Sequence, residues 1–231
     1  MALDLQKKKI IKLRKPLSPE DLDAVHRFGP ISLKLGMYAI LTLYLYQAAT
    51  IFYEYKPGEP WPFLLLIIRN GIFLFLHEGG HGLFMFFGRT LQLLGGSFWQ
   101  IMFPLISFGI ALRKRSTVVA PFALFWVGTN MLDVSLYMRD APVRQLPLLG
   151  GHRSGHDWWN LFTRWNMLDA AGDVADLFYF LGLLISIGSL IAGVAFAFYA
   201  YYHPKPFRIT GDDESLPPEQ RLPVLNLDQP E

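Results

Sequence analysis

His77-Glu78-Gly79-Gly80-His81 has the form H-E-x-x-H and lies within the apolar stretch 62–87. On a helix, positions i and i+4 stand one above the other, so His77 and His81 can offer their imidazoles to one metal ion. Glu78, one residue further round, is then placed as general base toward a water on that metal, whose pKa zinc brings down to about 7. Ionisable side chains are expensive in hydrocarbon and, where they occur, face a bundle interior or a wet cavity, so the same placement marks a functional site. The competing use of such a cluster is cohesive, with Glu78 pairing the imidazoles to hold helices together. Gly79, Gly80 and Gly82 suit both uses, because each lets another backbone come close at a cost of up to ~1 kcal/mol of helix propensity.

A catalytic zinc takes three protein ligands and keeps one position open. The chain has no cysteine, so the third ligand must be an imidazole or a carboxylate, and Asp133, Asp140, His152, His156 and Asp157 are the candidates. Asn130, Asp133, Tyr137 and Asp140 recur at 3-4-3 spacing and form a polar stripe that must face the inside of a bundle. His156 is the first choice for third ligand: Gly150, Gly151 and Gly155 let its loop fold back, and Trp158 and Trp159 can anchor it at a membrane surface. Asp140 comes second, as a direct ligand or as the acceptor that fixes an imidazole tautomer, with Asp133 and Asp157 as further alternatives. Against these stand a solvated loop histidine at 156 and helix-end carboxylates at 133 and 140 paired with Arg139 or Arg144. Arg69 and Asn70 lie deeper in the H-E-x-x-H stretch. Asn70 is seven residues before His77 and on its face, and Arg69 snorkels or pairs with a carboxylate.

The elements that must position these groups are read from composition. Hydrophobic residues make up 52% of the 231 and charged residues 17%, gathered so that five apolar runs emerge at 35–53, 62–87, 92–112, 116–138 and 177–202. Runs of this length are transmembrane helices, which predicts an all-α polytopic membrane protein of about five spans in contact with the lipid bilayer. A basic segment, 1–30, precedes a bundle over 31–203 that carries the metal site, and an acidic, proline-rich tail over 204–231 reads as disordered. No cleavable signal peptide is expected, since no short apolar core with a small-residue cleavage site precedes the first span. Ser18-Pro19-Glu20 opens a short helix that Gly29-Pro30 should stop. Residues 157–168 carry Trp158, Trp159, Leu161, Phe162, Trp165 and Leu168 at helical spacing behind Asp157 as N-cap, the pattern of an amphipathic helix lying in the membrane interface.

Twelve Lys and Arg flank the spans on the N-terminal side and seven on the other, which puts the N-terminus in the cytoplasm of what reads as a bacterial cytoplasmic membrane. Arg113-Lys114-Arg115 opposes that orientation, and a re-entrant third span, permitted by Gly95-Gly96 and Pro104, would invert everything after it. A net charge of +2 with its basic residues tied to span ends excludes a nucleic-acid partner. No internal repeat of the inverted-transporter kind is present.

The sequence resembles the site-2-protease-like clan of intramembrane zinc metallopeptidases, and most closely a group of bacterial membrane proteins related to that clan. The resembling residues are His77-Glu78-Gly79-Gly80-His81, Leu94-Gly95-Gly96, Gln100 with Pro104, Tyr137 with Asp140-Ala141, Leu146-Pro147-Leu148 and His156-Asp157-Trp158. The resemblance implies a membrane-helical fold with His77 and His81 on Zn²⁺, Glu78 as base, and a membrane-protein substrate. Clan proteases carry the third ligand as an aspartate in a Leu-Asp-Gly element preceded by asparagine and prolines. Here Leu132-Asp133-Val134 follows Asn130 without that glycine or those prolines. Two other functions fit parts of the sequence. A non-catalytic membrane subunit or scaffold would keep a structural or vestigial metal and bind a partner subunit. A di-iron oxygenase would use the two H-x-x-x-H boxes, His77/His81 and His152/His156, although six histidines fall short of the roughly eight imidazoles that desaturase-like enzymes use.

Overall fold

The computed structural model describes residues 19–149 and 155–203, with side chains from residue 29 onward. All regular structure among these residues is helical. Helix α1 spans Pro19–Tyr53, α2 Phe63–Phe87, α3 Arg89–Arg113, α4 Val119–Arg139, α5 Asp157–Arg164 and α6 Ala171–Tyr202. Five of them, all but α5, are long and apolar enough to cross a membrane. The protein is an all-α polytopic membrane protein. The basic segment before Pro19, His152 and the proline-rich tail lie outside the described residues.

Helix α1 does not stop at Gly29-Pro30 but runs through them. In an apolar surrounding only the helix itself can satisfy backbone polar groups, so the sequence that continues from Ile31 carries the helix past the proline. Helix α3 likewise contains Pro104 and is continuous over 25 residues, ~37 Å at 1.5 Å per residue, so the third span is a full-length helix and not a re-entrant loop. In α2 the residues Ile68–Phe73 form a π-helical turn just before the H-E-x-x-H segment. Such turns inside α-helices concentrate at functional sites.

Gly88 joins α2 to α3 with φ of +88°, a conformation that a Cβ would strain. The tight reversal makes α2 and α3 a hairpin, and Gly80 meets Gly95 backbone to backbone, where a Cβ on either would collide with the other helix. Gly79 and Gly82 have open space instead. Helix α4 is the centre of the bundle: 72% of its apolar window is buried, against 22% to 33% in the other four spans. Its longest contact is with α6, closed by Gly128 on Gly182 and by Ser189 Oγ donating to the Pro121 carbonyl at 2.7 Å.

Helix α5 starts one residue earlier in its capping than expected. His156 is the N-cap, its Nδ1 accepting from the Trp159 amide at 3.1 Å, and Asp157 is the first helical residue. Its apolar face packs on protein. Trp158, Leu161 and Phe162 are buried against Leu93, Val134, Met138, Ala171 and Ala175, and Trp158 Nε1 donates to Ser97 Oγ at 3.0 Å. The gain from covering these large side chains with protein fixes α5 under α3 and α4.

Candidate metal centre

His77 and His81 stand one turn apart on α2, their ring centroids 4.7 Å apart. Each ring is held at its Nδ1. His81 Nδ1 lies 2.7 Å from the Gln92 carbonyl, which can only accept, so Nδ1 carries the proton and Nε2 the lone pair. His77 Nδ1 lies 3.1 Å from Gln100 Oε1. The Gln100 amide is itself oriented, because its Nε2 donates at 2.8 Å to Asp133 Oδ2. An ionised carboxylate offers no proton, so the nitrogen of Gln100 must face Asp133 and its oxygen must face His77. His77 is therefore also protonated on Nδ1 and presents the Nε2 lone pair.

Both Nε2 atoms point at one carboxylate oxygen, Asp157 Oδ2, at 3.1 Å from His77 and 3.2 Å from His81. Two imidazole lone pairs and a carboxylate oxygen at such distances repel unless a proton or a cation lies among them. A tetrahedral Zn²⁺ with bonds of about 2.0–2.1 Å separates its ligand atoms by about 3.3 Å, close to both observed spacings. The group His77, His81 and Asp157, with ligand atoms within 4.8 Å of one another, can hold such an ion. Tyr137 braces the carboxylate: its hydroxyl donates to Asp157 Oδ2 at 3.2 Å and accepts from the Asp157 amide at 3.0 Å. With protons on the two Nε2 atoms in place of a cation, burial still works against ionisation of Asp157, but the hydrogen bonds and charge of His77 and His81 outweigh it and lower the carboxyl from 3.8 to about 2.

Gly96 on α3 makes room for the rings. A Cβ there would sit 2.7 Å from His77 Nε2 and 2.8 Å from His81 Nε2, so only glycine lets α3 pass beside the ligand atoms. A cavity of about 340 Å³ opens on the group, lined among others by Arg69, Asn70, Glu78, Tyr137, Leu148 and Asp157. Glu78 is exposed within it.

The polar stripe of α4 faces inward as its spacing requires, with Asn130, Asp133 and Asp140 all buried. Its members do different things. Asp133 receives Arg69 Nε at 2.7 Å as well as Gln100, so Arg69 pairs with a carboxylate rather than snorkelling. Asn130 donates to the Trp126 carbonyl within its own helix. Asp140 accepts from the Gln145 and Leu146 amides at 2.8 and 3.0 Å and faces His156 Nε2 at 3.2 Å, which makes it the organiser of the loop after α4. Arg139 pairs with Asp176 on α6 and not with either stripe carboxylate.

His156, expected as third ligand, is fully buried with both ring nitrogens engaged, one on Asp140 and one on the Trp159 amide. The residue brought to the other two histidines is its neighbour Asp157. The physical reason is the helix start: as N-cap, His156 folds its ring back over the first turn, while Asp157, one position on, projects toward α2. Gln100 and Gly96 had no chemical role in the sequence reading beyond the resemblance. The spacing of Gly96 and Gln100, four residues apart on one helix face, is the signal that could have found them. Family models, curated proteins and solved structures were compared with the chain, and none matches it.

Proposed function

We propose that the protein is an intramembrane zinc hydrolase that cleaves a peptide bond of a membrane-anchored substrate. One observation carries this reading: two Nε2 lone pairs and one carboxylate oxygen converge beside a glutamate, in a cavity among spans where isolated charges are costly. A bound zinc would supply Lewis acidity, polarising a carbonyl and making water a nucleophile near neutral pH. Every other part belongs to the chain. His77, His81 and Asp157 would hold the ion, Tyr137 fixes the carboxylate, and Glu78 takes the proton from the attacking water and hands it to the leaving amine. A helical span ties up its scissile carbonyl in the backbone hydrogen-bond ladder, so the substrate enters locally unwound. The Lys/Arg distribution supports an N-terminus in the cytoplasm and a site nearer that face.

The test is zinc content by mass spectrometry and cleavage of a membrane-anchored reporter, on the purified full chain. Zinc should be lost in His77→Ala, His81→Ala and Asp157→Ala and retained in Glu78→Gln, with cleavage abolished in all four. Full zinc in Asp157→Ala rejects the ligand set; turnover in Glu78→Gln rejects the base.

A further inference from the structure

Beyond the ligands themselves, a ladder of side chains from three spans ends on His77: Arg69 Nε to Asp133 Oδ1 at 2.7 Å, Gln100 Nε2 to Asp133 Oδ2 at 2.8 Å, and Gln100 Oε1 to His77 Nδ1 at 3.1 Å. We propose that Arg69, Asp133 and Gln100 are positioning residues whose hydrogen-bond polarity sets the tautomer of His77, and with it the competence of the metal site. The inference rests on the metal-site reading above.

The ladder has a direction. Arg69 only donates and ionised Asp133 only accepts, so the nitrogen of the Gln100 amide is turned to Asp133 and its oxygen to His77. The oxygen needs a donor, which places the imidazole proton on Nδ1 and leaves Nε2 bare toward Asp157. Gln100 and Asp133 are both buried and meet solvent only through the cavity they line, and leaving a buried polar group unpaired costs about 1–3 kcal/mol. Partners of this kind fix ring orientation and basicity in metal sites, and their loss weakens metal binding about 10–100-fold.

Asp133→Asn exchanges a carboxylate for an amide of the same shape, yet it reverses the ladder. The substituted side chain must keep its oxygen on Arg69 and so turns its nitrogen to Gln100. The Gln100 amide then flips, presents its own nitrogen to His77 Nδ1, and drives the imidazole proton onto Nε2, the ligand atom. A second change restores the original sense. In the Gln100→Glu/Asp133→Asn double variant the new amide donates to the new carboxylate, which accepts from His77 Nδ1–H, and Arg69 still finds an oxygen. The charge is exchanged along the ladder and the net charge is unchanged. Gln100→Glu alone sets two carboxylates against each other.

The experiment measures Zn²⁺ affinity of the purified full chain by competition with a chromophoric chelator, in wild type, both single variants and the double variant. At saturating Co²⁺ the visible ligand-field spectrum is recorded for each. Asp133→Asn should bind zinc about 10–100-fold more weakly and show an altered cobalt spectrum; the double variant should regain most of the affinity and the wild-type spectrum. A purely structural defect would not be repaired by a second substitution of that polarity. Wild-type affinity in Asp133→Asn, or a double variant no tighter than the weaker single, overturns the tautomer ladder while leaving the metal site standing. Absence of zinc binding in the wild type overturns both.

Discussion

Gly96→Ala isolates the geometric demand of the site from its chemistry, because it adds one methyl group and no charge. The new Cβ would lie 2.7 Å from His77 Nε2, 2.7 Å from His81 Cε1 and 2.8 Å from His81 Nε2, whereas ordinary contact begins near 3.4 Å. The rings or the helix must therefore give by about 0.7 Å (3.4 minus 2.7). Neither is free to do so. The rings are tied at Nδ1 to Gln100 and the Gln92 carbonyl, and α3 is held against α2 by the contact of Gly95 with Gly80. Metal–ligand distances tolerate only about 0.2 Å. Overpacking by a methyl group costs about 1–3 kcal/mol, and if that falls on the metal-bound state it weakens zinc about 5–150-fold, at 1.4 kcal/mol per factor of ten. Chelator-competition titration of the detergent-solubilised protein reads this directly. Gly82→Ala is the control, since nothing lies within 4 Å of its Cβ position, and it should leave affinity unchanged. Wild-type zinc affinity in Gly96→Ala would refute the placement of α3 beside the ligand atoms.

Two further outcomes follow from the packing. His156→Ala should leave metal content at the wild-type level yet lose the N-cap of α5 and the partner of Asp140, lowering stability by about 1–3 kcal/mol in a thermal melt; loss of metal with unchanged stability would restore His156 as a ligand. Gly128→Ala drives a methyl group into Ser186 Oγ and the Gly182 carbonyl at the α4–α6 contact. It should lower the melting temperature while Gly188→Ala, which meets nothing within 4 Å, does not. Equal melting temperatures for the two would mean that the α4–α6 contact is looser than described.

Much of the architecture is legible in the sequence because hydrocarbon is a simple solvent. Apolar run lengths locate all five long helices, and the cost of burying Asp133 and Asp140 turns the α4 stripe inward on spacing alone. Errors arise where the signal is local and the outcome is not. Gly29-Pro30 looks like a stop, but an apolar continuation with no other partner for its backbone carries α1 through it. The tryptophan-rich segment after residue 156 has the amphipathicity of an interfacial helix. That pattern cannot say whether the apolar face meets lipid or protein, and here Ser97, Leu93 and Val134 supply the protein.

The sequence by itself determined two imidazoles and a carboxylate at fixed spacing, because a helix sets i and i+4 on one face whatever surrounds it. It also determined that these groups face inward, because charge is costly in an apolar medium. Only the tertiary structure decided which of His156 and Asp157 faces the two imidazoles. Adjacent residues at a helix start point in different directions, and the one that reaches α2 depends on where α5 begins and which residues of α3 and α4 it packs beneath. The same holds for Gln100 and Gly96, ordinary residues in sequence whose roles exist only because the Gly80–Gly95 contact brings α3 within reach of the histidine rings.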